Sequence, residues 1–189
     1  MKKRVLAITL ISAIMATSVL AFTVSFARAE VVPIPCELYT QADAHALFNE
    51  DVSDGVARET VAPAGNSCRY TFKKNGSIFG VTVRVSTTVE IAGEGIFDSA
   101  KDVFERQVKA RMASEEAVKK FKDIKGIGDG AFWEGTSLWV LKEDVLLIIK
   151  VNSPLEGSFK NREVLDAAQE EQDLALSLKV SETVLPKLE

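Results

Sequence analysis

The chain contains a single histidine, His45, so any nucleophile–histidine relay or histidine metal cluster would depend on that one ring. Its neighbours are Ala44 and Ala46, with Asp43 two residues before it, and neither neighbour is a nucleophile. Gly-x-Ser-x-Gly and His-Glu-x-x-His are both absent. Carboxylates fall close together at Glu115/Glu116, Glu170/Glu171 and Asp123/Asp129. A glycosidase needs two acids facing one cleft, whereas adjacent acids on helices read as solvated surface. The stretch Asn49 to Gly55 looks like a calcium loop until it is aligned. With Gly55 at the glycine position, the first and third ligand positions fall on Glu50 and Val52, and the closing acid becomes Val61. The expectation is a non-catalytic protein without cofactor or metal.

Gly126, Gly128 and Gly130 alternate around Ile127 and Asp129 and lead into Ala131-Phe132-Trp133. A phosphate-cradling loop joins a strand to a helix, whose first amides hold the anion. Here the glycines lead toward a strand and no Lys-Ser/Thr follows, so they read as a compact helix-to-strand turn. Asp129, Phe132, Trp133 and Trp139 are the candidate binding surface. As strand aromatics, the last three are equally suited to a core.

Residues 1–29 join a basic tip (Lys2, Lys3, Arg4) to a long apolar stretch ending in Ala27-Arg28-Ala29. This is the form of a signal peptide cleaved after Ala29. If it stays uncleaved, the apolar stretch is long enough to span a bilayer, and membrane association is expected only in that case. Residues 30–36 form a proline-bearing lead-in, and residues 37–189 a single domain. The expected location is exported, periplasmic or extracellular. Cys36 and Cys68 are the only cysteines; both lie in the exported part and are expected to pair as a disulfide. The formal net charge is −4, and residues 1–29 contribute bases and no acid, so the remainder is more acidic still. Nucleic-acid binding is not expected of such a chain.

The elements that must position these residues can be read from periodicity. Thr40 and Asp43 form a capping-box pattern ahead of Ala44, Leu47 and Phe48, which marks a short first helix. Ala62 to Ser67 reads as a loop. Asn75-Gly76 between two alternating runs predicts a type I′ hairpin. Its register opposes Cys68 to Val83, Tyr70 to Val81 and Phe72 to Phe79 on a core face, and Arg69 to Thr82 on the other. Phe97, Ala100, Phe104, Val108 and Met112 recur at helical spacing and predict one long helix to about Phe121. Hairpins turning near Gly135-Thr136 and at Glu143-Asp144 follow, the second opposing Trp139 to Ile148 and Leu138 to Ile149. A last helix over residues 160–179 should bury Val164, Leu165, Ala168, Ala175 and Leu178 and expose Asp166, Glu170 and Asp173. The order predicts an α+β fold, an antiparallel sheet of hairpins with helices on both faces in a three-layer sandwich.

The segments "PCELYTQADAHALF", "SCRYTF", "GIGDGAFW" with "LWVLKEDVLLIIKV", and "DLALSLKVSETVLPKL" resemble a group of small exported bacterial proteins, often actinobacterial lipoproteins, similar in fold to the PsbP-like α/β/α sandwich. The chain lacks the lipid-modified cysteine of the lipoprotein members. The resemblance implies an accessory or binding module and no catalytic residues. The expected function is recognition of a protein partner in the cell envelope. The alternative is a carrier of a small apolar ligand or lipid, and a hydrolase ranks below both.

Overall fold

The computed structural model describes residues 32–188. The expected signal segment and its cleavage site lie outside the described residues. Among those described, no helix is long and apolar enough to cross a membrane.

Two short helices, α1 (Pro35–Leu38) and α2 (Gln41–Phe48), open the fold. Pro35 is buried at the start of α1, so the lead-in joins the packed structure at its last two residues. The capping box at α2 is present: Thr40 accepts from the Asp43 N–H and Asp43 accepts from the Thr40 N–H. Strands β1 (Val56–Thr60), β2 (Gly65–Lys74) and β3 (Ser77–Thr87) follow, then helices α3 (Thr88–Glu94), α4 (Ala100–Met112) and α5 (Glu115–Val118). Strands β4 (Lys122–Ile124), β5 (Gly130–Trp133), β6 (Leu138–Lys142) and β7 (Val145–Asn152) lead to the long helix α6 (Arg162–Val184).

The seven strands form one sheet in the order β1-β2-β3-β7-β6-β5-β4, with every neighbouring pair antiparallel. The fold is α+β. Both registers read from turn chemistry occur as expected: Phe72 opposes Phe79, Cys68 opposes Val83, Leu138 opposes Ile149 and Trp139 opposes Ile148. At the first turn Asn75 and Gly76 both have positive φ, 51° and 79°, as a type I′ turn requires.

Alternation along the strands sorts the apolar side chains into two groups. Val81, Val83, Trp133, Leu138, Val140, Leu147 and Ile149 pack with Leu38 and Ala44 and with Val180 and Val184 of α6. Phe132, Trp139, Leu141, Leu146 and Ile148 pack with Ile91 of α3 and with Ala100 and Val103 of α4. The Cys36–Cys68 disulfide forms and ties α1 to β2 across a Cα separation of 5.1 Å.

Several expectations are corrected. Gly65 to Ser67 belong to β2 and are not loop. The long helix expected to reach Phe121 stops at Met112, because Ser114 caps a new start by accepting from the Ala117 N–H. Gly126 and Gly128 connect β4 to β5, so theirs is a strand-to-strand turn. In α6 the inward face differs from the expected apolar stripe. Ser177, Val180, Ser181 and Val184 are buried, while Val164 and Leu165 are exposed. Glu170 and Asp173 turn toward the sheet, because Trp133, Lys122 and Ser153 supply hydrogen-bonding partners there.

Candidate functional site

The four residues expected to form one binding surface are not brought together as a surface. Trp133 is fully buried beneath α6, and its indole N–H donates to Glu170 Oε1 at 3.2 Å. Phe132 and Trp139 lie on the opposite face, buried and stacked on one another at 5.7 Å between ring centroids. Asp129 is exposed, but it has structural work: its carboxylate accepts the Glu143 N–H, and its own N–H donates to Leu141 O at 2.8 Å. It thereby fastens the β4–β5 turn to the β6–β7 turn. The aromatic spacing is that of a core, because neighbouring strand residues face opposite sides of the sheet.

The site that sequence reasoning missed lies on the sheet face that carries α3 and α4. No residue of β1 or β2 joins the cluster packed under those helices, so that part of the face stays open. Register places Arg69, Thr82 and Lys150 side by side across β2, β3 and β7. Thr71, Gly80 and Asn152 form the next row, and Lys73 with Ile78 the one beyond. Val56 and Arg58 of β1 flank Arg69 and Ser67. No acidic residue occupies any of these positions.

Arg58, Arg69, Lys73 and Lys150 are exposed. Among the described residues none of them takes part in an ion pair. Lys74, on the other face of β2, is held by Glu50 at 3.0 Å and by Glu156 at 3.2 Å, so the strand segregates neutralised charge to one side and free charge to the other.

The centre of the open face is a depression of about 180 Å³ lined by Arg69, Gly80, Thr82, Lys150 and Asn152. Gly80 keeps its floor free: a Cβ there would meet Tyr70 O at 2.1 Å, so no side chain fits. On the same stretch of β3, Arg84 and helix α3 hold the turn between β1 and β2. Glu94 accepts the N–H groups of Ala62 and Ala64 at 2.8 and 2.9 Å, and Arg84 donates to Pro63 O. Burial lowers the pKa of Arg84 from its usual value, against the opposing pull of Glu94.

A second concavity is apolar. It is an open groove along α4, lined by Phe104, Val108 and Met112 with Glu105, Lys109 and Ala113, of about 540 Å³. No nucleophile, base and orienting group converge in either place, and among the described residues no group of three or more His, Cys, Asp or Glu side chains is placed to hold a metal.

No family model matches the chain, and no curated protein or solved structure matches it.

Proposed function

We propose that this protein is an exported, non-catalytic module that recognises an acidic protein partner in the cell envelope through the open face of its sheet. The observation that carries the reading is the set of four unpaired cations, Arg58, Arg69, Lys73 and Lys150, on one face of an acidic chain. Charge complementarity of this kind speeds encounter and selects partners. The disulfide fits an oxidising compartment, and the resemblance to PsbP-like domains supports an accessory role by analogy of fold. The test is capture from envelope extract with the chain as bait, comparing wild type with Arg69→Glu/Lys150→Glu and with Lys101→Glu on α4. A specific partner is retained by wild type and Lys101→Glu, released by salt, and lost from the double variant. A partner indifferent to the double variant would sink the proposal.

The apolar groove on α4 supports a second reading, a carrier of a small apolar ligand. Native mass spectrometry of protein purified from its host checks it. Bound mass that disappears in Val108→Asp supports the carrier, and a consistently ligand-free protein removes it.

A further inference from the structure

We infer that the depression between Arg69 and Lys150 is a binding site for a tetrahedral oxyanion, the phosphate group of a monoester or of inorganic phosphate. This deepens the preceding reading and rests on the open face being the recognition surface; it specifies the chemical group received there. Arg69 and Lys150 sit at register positions on either side of Thr82, which separates their backbones by two strand spacings, roughly 10 Å. Both side chains are long enough to lean inward over the threonine, and Gly80, where the packed backbone admits no side chain, lines the depression beside it.

The donors differ in kind. Arg69 offers a planar fork, Lys150 a point charge, and Thr82 a hydroxyl from below. Asn152 already donates through Nδ2 to Ile78 O at 3.1 Å, and that amide nitrogen carries a second hydrogen to give. A carboxylate on the Arg69 fork uses both of its oxygens there and neutralises one cation. A phosphate monoester has three terminal oxygens and a charge near −2 at neutral pH, which matches two cations and leaves an oxygen for the lysine and the hydroxyl. The depression is polar-lined and its two cations have no competing acid at neighbouring register positions, so no internal ion pair must break on binding.

The test is calorimetric titration of the full chain with inorganic phosphate, with glycerol phosphate, and with acetate at matched ionic strength. Saturable binding of a phosphate species over acetate is expected, weakened about tenfold by Arg69→Gln and by Lys150→Gln and unchanged by Lys101→Gln. All three cations are exposed, and unchanged circular dichroism confirms that the variants fold. Preference for glycerol phosphate identifies an ester as the ligand, and equal or better binding of inorganic phosphate identifies the free ion. Acetate binding as tightly as phosphate, binding unaffected by Arg69→Gln, or no saturable heat each overturns the inference. If phosphate fails to bind while the Arg69→Glu/Lys150→Glu variant still loses its protein partner, the binding-module proposal stands and only the oxyanion site falls.

Discussion

The Trp133 indole N–H and the Lys122 ammonium converge on one oxygen, Glu170 Oε1, at 3.2 and 3.0 Å. One carboxylate on α6 therefore satisfies the most deeply buried tryptophan of the sheet and secures the edge strand β4.

Removing that acceptor should be costly chiefly through the indole. Glu170→Leu leaves a buried N–H without a partner and is expected to destabilise the fold by about 1–3 kcal/mol. Lys122 is half exposed and adds little. Glu170→Gln keeps an acceptor and should lose less. Urea unfolding followed by tryptophan fluorescence measures both, and equal losses would contradict the role given to the hydrogen bond.

Asp173 is half-buried on the same helix. Burial raises its pKa above the ordinary carboxylate value, against the hydrogen bonds from Ser153 and Gln169 that lower it. The folded protein thus holds this proton more tightly than the unfolded chain. Its contribution to stability is full below the unfolded value of 3.8 and declines as pH rises through the higher folded value. Asp173→Asn preserves an acceptor and cannot ionise, so it should gain stability relative to wild type between about pH 3 and pH 7. Denaturation curves across that range check the sign, and a relative loss on raising pH would contradict it.

Gly126 and Gly128 share a turn but differ in surroundings. Gly128 has φ 55° and a Cβ there would meet Leu141 O at 2.3 Å, whereas Gly126 has φ 79° and open space. Gly126→Ala should cost about 1 kcal/mol from left-handed backbone alone, and Gly128→Ala more than about 2 kcal/mol. Thermal unfolding of the pair distinguishes them; similar midpoints would show that the turn yields.

The Cys36–Cys68 bridge spans 32 residues, and loop-closure entropy for that span is worth about 3–4 kcal/mol. Cys36→Ser/Cys68→Ser should lose stability on that scale in denaturant titration. An unchanged midpoint would mean that α1 is held by packing alone.

What could be read from the sequence follows a physical division. Hairpin register was legible because Asn75-Gly76 and Glu143-Asp144 dictate a turn, and a two-residue period then assigns every face. Strands β1 and β4 were not, because short, charged edge strands such as Val56–Thr60 and Lys122–Ile124 resemble loops or helix ends. The inward face of α6 escaped because Ser177 and Ser181 lie buried where apolar residues were sought, and because Glu170 turns inward to partners that only the assembled sheet supplies. The cationic face was hidden for a related reason. Arg69 and Lys150 are far apart in sequence, and their adjacency requires β3 to pair with β7.

The disulfide also determines where a mechanical load enters the domain. Tension on the segment preceding Cys36 does not have to be borne by α1, a single turn of helix. It passes through the sulfurs to Cys68, in the middle of β2, which is laced to β1 on one side and β3 on the other. A pull from the N-terminal side therefore reaches the domain inside the sheet, on a strand paired along both edges, as an anchor point sunk between two ladders.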